Sequence, residues 1–173
     1  IPSNLPILPL YEQVVFPSMV FPLFVEGRDM TAIDEAMQAD HMIGLTICLG
    51  TKPPCEFEDL SRIGTACKIN QAIRLPEGGY KVIVEGVQRI RLITSTQLSP
   101  CILAMVEAID EPVEGNLVTD ALVQSVNALL KIALAYGRPL PGDVLKMIDQ
   151  IDDPGRLADL VAVYLNLDLR EQQ

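Results

Sequence analysis

The sequence predicts an α+β protein: a small, partly closed β-barrel with one inserted helix, followed by a small helical subdomain. Three observations lead there. About seven short strand candidates, separated by Pro-, Gly- and Asn-containing breaks, crowd the part before residue 111. One helical pattern interrupts them, at 27–39. After the break "EPVEGN" at 111–116, apolar residues recur only at helical spacing. The predicted division is a β-rich domain over 1–112 and a helical subdomain over 113–173.

The first 22 residues hold five of the 13 prolines: Pro2, Pro6, Pro9, Pro17 and Pro22. "LPILPL" and "MVFPLFV" read as short edge strands, because proline cannot donate to a central ladder. The helix at 27–39 places Ile33, Ala36 and Met37 on its apolar face. "HMIGLTICL" is a short buried strand, and "GTKPPCEFEDL" is a polar loop with a Pro-Pro break. From Ile63 the odd positions Ile63, Thr65, Cys67, Ile69, Ile73 and Leu75 are mostly apolar, while Arg62, Lys68, Asn70 and Arg74 alternate with them. That period of two predicts a half-buried strand. "PEGG" supplies a turn and "YKVIVEGV" the return, so 62–87 forms a hairpin. "RIRLI" and "CILAMVEAI" add two more strands.

Beyond the break, Leu122, Val126, Leu129, Ala133 and Tyr136 form one stripe of a helix that stops near Gly137 and Pro139. A short helix around 143–149 leads into "QIDDPGRLADLVAVYL". There Asp153 can accept a backbone N–H, and Pro154 occupies the first helical position, where its missing donor costs nothing. Leu157, Leu160, Val161, Tyr164 and Leu165 follow at helical spacing.

Composition narrows the function. At 173 residues, 49% apolar and 21% charged, the chain is globular and not disordered. The net charge of −10 is evenly spread, with 8 basic and 14 acidic side chains in 1–112 and 5 and 9 in 113–173. No Lys/Arg cluster exists to release counterions from a phosphate backbone, so nucleic acid is not an expected partner. No apolar run reaches the roughly 20 residues of a membrane-spanning helix, and no membrane partner is expected. The chain starts at Ile1 without a signal-peptide pattern, and is expected to be a piece of a longer protein.

Motifs that carry chemistry are missing from the sequence. There is no G-x-x-x-x-G-K-[ST] loop for a nucleotide and no G-x-S-x-G elbow. His41, the sole histidine, reads as a solvated helix-end residue, and Glu56, Glu58 and Asp59 as a solvated acidic loop. Cys48, Cys55, Cys67 and Cys101 lack C-x-x-C spacing. They are expected to be free thiols in a reducing cytosol, with no metal bound.

Three blocks in order carry a family resemblance. "LPILPLYEQVVFPSMVFPLFVEGRD" resembles the opening of the Lon-type ATP-dependent proteases (protease La). "FEDLSRIGTACKINQAIRLPEGGYKVIVEGVQRIRL" is similar to their second block, and "IDDPGRLADLVAVYL" to the signature closing their N-terminal helical region. The chain departs from the pattern at Tyr11-Glu12, where a basic residue is usual, and at Glu26, which precedes Gly27.

The resemblance implies a PUA-like pseudo-barrel and then helices, upstream of an AAA+ ATPase module and a protease module with a Ser-Lys dyad. The last helix would begin the connection to that motor. No catalytic residue and no cofactor are expected in this chain, since ATP and Mg would belong to the ATPase module. The implied role is recognition of unfolded or damaged proteins and ordering of a hexamer in the bacterial cytoplasm. The alternative is a free-standing Lon-domain binding protein, and the helical segment favours the first reading. The apolar run "VVFPSMVFPLF" at 14–24 has more large side chains than a proline-broken edge strand needs. Phe16, Met19, Phe21 and Phe24 are therefore the expected substrate contacts, Met19 and Phe21 foremost.

Overall fold

The computed structural model describes residues 1–50, 54–110, 117–135 (133–135 as backbone), 148, 151, 153–165 and 168–172. Ile1–Asp110 and Asp168–Gln173 form one compact unit and Glu111–Leu167 another. The first holds β1 (Asn4–Leu10), β2 (Val20–Val25), α1 (Met30–Gln38), β3 (Met42–Ile47), β4 (Ile63–Arg74), β5 (Tyr80–Gln97) and β6 (Ile102–Ala108). The second holds α2 (Leu117–Ala135) and α3 (Pro154–Tyr164), while a last turn, α4 (Leu169–Gln172), belongs to the first. The sequence boundary at Pro112 and the short helix at 143–149 lie outside the described residues, apart from Ile148.

The sheet runs β2-β5-β4-β3-β1-β6, and β5 also pairs with β6, which closes five strands into a barrel. Closure works because β5 is long. One edge of it serves β4, while the other serves β2 along Tyr80–Glu85 and β6 along Ile90–Gln97. "RIRLI", read as a separate strand, is thus continuous with "YKVIVEGV". The 62–87 hairpin is present as β4 and β5.

β1 is not an edge strand. It lies between β6, antiparallel along Asn4–Ile7, and β3, parallel along Ile7–Leu10. The two partners are offset, so Pro6 has only β6 beside it and Pro9 only β3. Each missing N–H can then fall on the side without a ladder. β2 is the edge strand that proline predicted: among the described residues it pairs with β5 alone.

The period of two in β4 changes phase. Asn70 is an extra residue between the pairs Ile69↔Val84 and Gln71↔Ile83. A bulge of this kind moves later side chains to the opposite face. Ala72 therefore packs on the core and Ile73, expected inside, is 46% exposed.

Two apolar clusters fill the barrel. One gathers Leu8, Leu10, Leu23, Val25, Val82 and Val84 with Ile33 and Ala36 of α1. The other gathers Leu5, Ile7, Phe57, Leu60, Ile90 and Ala104. Ala32, Ile33 and Ala36 form the buried face of α1, and Met37 is exposed. Tyr80 Oη donates to Asp34 Oδ1 at 2.7 Å, tying α1 to β5.

The cysteine expectation fails for two of the four. Cys48 and Cys55 form a disulfide, with Cα atoms 6.1 Å apart, and Cys67 and Cys101 are free and buried. The segments at 48–49 and 59–60 lie side by side: Leu49 N–H donates to Asp59 O and Cys48 bridges Leu60. This brings together two residues that spacing alone did not pair. Burial pushes the Cys67 thiol up to about 12.

In the helical unit, Asp153 Oδ1 accepts from Gly155 N at 2.8 Å and Arg156 N at 3.4 Å, ahead of Pro154. Leu157 and Ile148 are buried, with Leu160, Val161, Val123, Val126 and Leu130 packed on them. The α2 stripe is rotated from its predicted position. Val126 packs, but Leu122 and Leu129 are more than 60% exposed. The Ala133 side chain and Tyr136 lie outside the described residues.

Candidate functional site

The apolar run at 14–24 enters a turn before it becomes β2. Pro17 occupies the second turn position and Ser18 the third, at φ 63°, and Met19 N–H donates to Phe16 O at 3.3 Å. Proline followed by a left-handed residue is the chemistry of a type II turn. Thr65 Oγ1 holds the approach by donating to Val15 O at 2.6 Å. Beyond the turn, Ser18 N–H donates to Gly86 O and Gly86 N–H to Met19 O, each at 2.8 Å. A Cβ at Gly86 would lie 2.2 Å from Phe16 O, so only glycine lets this turn sit against β5.

These bonds fix the alternation of β2. With Met19 bonded to β5, the backbone groups of Phe21, Leu23 and Val25 turn toward β5, and those of Val20, Pro22 and Phe24 turn away. Pro22 thus loses no ladder bond. Side chains alternate as well: Leu23 and Val25 are buried, whereas Val20 is 61% and Phe24 69% exposed.

The four expected contacts therefore separate. Phe16 is only 5% exposed, under the Arg89 guanidinium 6.0 Å from its ring, and it serves as a packing residue. Met19 and Phe21 are half-buried, and Phe21 packs against the core. Phe24 alone stands fully outward, with Lys81 Nζ 5.9 Å from its ring centroid. Val20 was missed. The signal was available, because inward Leu23 and Val25 require Phe21 to share their face and Val20 to oppose it.

Along the open edge of β2 runs a groove of about 390 Å³. Its walls are Leu8–Gln13 on one side and Pro22–Glu26 with Asp29 on the other. Glu12, Glu26 and Asp29 line it, and among the described residues no lysine or arginine does. Partial burial raises the Asp29 carboxyl, with Arg28 opposing, and burial together with Asp29 raises the Tyr11 phenol. Arg28 Nη2 donates to Leu98 O at 2.8 Å.

Elsewhere, His41 is exposed at φ 62° just past α1, donating its N–H to Ala36 O. Glu56, Glu58 and Asp59 are exposed around Phe57, which is itself buried beneath Arg62. Among the described residues, no group of three His, Cys, Asp or Glu is placed to hold a metal, and no helix is long and apolar enough to cross a membrane.

The profile of a protein family described as the ATP-dependent protease La (LON) substrate-binding domain matches residues 4–173. The chain belongs to this family. It is 49% identical over 173 residues to a Lon protease of Citrifermentans bemidjiense, covering 99% of this chain and 22% of that protein. To a Lon protease of Desulfatibacillum aliphaticivorans it is 38% identical, covering 100% and 21%. The chain thus spans about a fifth of the length of these curated relatives. In structure it is similar to the N-terminal domain of the Mycobacterium avium complex Lon protease, with a TM-score of 0.74 at 21% identity over 98% of this chain and 88% of that one. A Lon N-terminal domain protein from Xanthomonas campestris gives 0.54 at 19%, over 95% and 99%. At these identities the structural likeness establishes the α+β Lon-domain fold.

Proposed function

We propose that this domain holds unfolded or damaged protein chains for an ATP-dependent Lon-type protease and performs no chemistry itself. Peptide cleavage by a Ser-Lys dyad, and ATP hydrolysis with Mg, would belong to modules outside these residues. Relatives that are named Lon proteases and match along this whole chain support that reading over a free-standing binding protein.

The observation that carries the proposal is the pair Val20 and Phe24, two large apolar side chains held outward on an edge strand beside a groove. Burying one such side chain contributes about 1.5–3 kcal/mol. Two together barely offset association costs of roughly 4–15 kcal/mol. A single domain binds weakly on this account, and several copies on one hexamer gain about 10² to 10⁴ by avidity.

The test is capture of a permanently unfolded, reduced and alkylated protein by the chain and by Val20→Asp and Phe24→Asp. Both variants should lose most of the capture while keeping the parent melting temperature. Undiminished capture by the double variant would exclude this surface.

A further inference from the structure

The groove occupies a gap in the β-structure. On one wall, β6 leaves β1 after Ile7, so Leu8–Leu10 have that flank open. On the other wall, β2 has no second partner among the described residues. Pro9 has no N–H to offer an incoming chain. β2 has two, on Val20 and Phe24, with the carbonyls of Val20, Pro22 and Phe24 alongside. An unpaired edge of this kind is a template for an extended peptide, whose main chain supplies the bonds and whose alternate side chains supply selection. The volume of about 390 Å³ lies in the range of formed ligand clefts. Charge then decides which peptide. Glu12, Glu26 and Asp29 share the lining with no cation among its described residues, and Arg28 is engaged by Leu98 and Pro100 carbonyls.

We infer that an extended substrate segment, apolar and carrying lysine or arginine, adds as a strand to the open edge of β2 and places its basic side chains against Glu12, Glu26 and Asp29. This deepens the substrate-holding reading and rests on it. It assigns the main-chain atoms of Val20, Pro22 and Phe24 a direct role, and it selects substrates by charge as well as by apolar content. Among exposed apolar segments, those flanked by acidic residues are repelled.

The experiment uses the 173-residue chain and a labelled nine-residue peptide alternating lysine with valine or leucine, read by fluorescence anisotropy. Two analogues carry N-methyl groups on alternate amides, one on each of the two sets. A strand bound by one edge uses only one set, so one analogue should lose about tenfold or more in affinity and the other little. Replacing lysine by glutamate in the peptide should abolish binding. Glu12→Gln with Glu26→Gln, both exposed, should weaken the lysine peptide several-fold at an unchanged melting temperature, and adding Asp29→Asn should weaken it further. Equal binding of the two N-methyl analogues, or indifference to the carboxylates, overturns the inference. So does dimerisation of the chain that competes with the peptide, since the occupant would then be a second copy. If Phe24→Asp still abolishes capture of unfolded protein while both analogues bind alike, strand addition fails and the substrate-holding reading stands. If no unfolded protein is captured at all, both fail together.

Discussion

Strands β1 and β2 carry the same kind of sequence, prolines set among large apolar residues, and they occupy opposite situations. Six consecutive residues of β1 are buried, between two partners. β2 has one partner among the described residues, buries Leu23 and Val25, and turns Val20, Pro22 and Phe24 outward. Proline in a strand therefore reports that one N–H lacks a ladder partner, which is a statement about a single side of a single residue. β1 meets that condition by offsetting its two neighbours, and β2 meets it by having only one. The barrel buries the first strand and leaves large apolar side chains outward on the second.

The comparison breaks most visibly on truncation. Ile7→Ala removes a fully buried β1 side chain and should cost about 2–5 kcal/mol in urea unfolding. Phe24→Ala on β2 should stay within about 0.5 kcal/mol, as an exposed substitution does. Similar losses at both sites would mean that β2 is as much core as β1.

A second contrast lies in the disulfide, which sits at the β1 end. Cys48 N–H donates to Leu10 O, so the bridge braces the β1–β3 ladder and leaves β2 untouched. Closing so short a loop stabilises by about 2–3 kcal/mol in the chain-entropy account. Denatured protein without reductant should show two thiols, and reduced protein four. Reduction should lower the melting temperature without altering capture of unfolded chains.

The third effect develops only in alkaline solution and belongs to the barrel interior. Burial raises the Cys67 thiol from 9.0 to about 12. The unfolded chain then releases this proton first, so stability is complete below about pH 9 and declines above it until pH reaches about 12. The slope is about 1.4 kcal/mol per pH unit. Cys67→Ala should flatten that alkaline decline, and an unchanged slope would mean that the thiol is not the group responsible.

Much of this was legible in the sequence, because local patterns determined it. The α3 cap at Asp153-Pro154, the 62–87 hairpin and the inserted helix each rest on residues within a few positions of one another. The misses required distant partners. The bulge at Asn70 exposes Ile73, and nothing in the alternation before it announces the extra residue. Phe16 looked available until the approach of the turn to Gly86 buried it, a contact between segments far apart in the chain. Cys48 and Cys55 meet because Leu49 and Asp59 pair, which no cysteine spacing reveals. The groove acids come from separate segments. On β2 itself the alternation was readable, and side-chain size drew attention to Phe21, and to Met19 just before the strand, instead of Val20.

The most direct measurement is amide hydrogen exchange read residue by residue along the two strands, with and without an unfolded client. In the free protein, Leu5, Ile7, Leu8 and Leu10 of β1 and Phe21, Leu23 and Val25 of β2 should be protected, while Val20 and Phe24 exchange freely. On saturation with the client, Val20 and Phe24 should become protected and the β1 amides should not change. Protection of Val20 and Phe24 in the free protein, or free exchange persisting at saturation, would contradict the account.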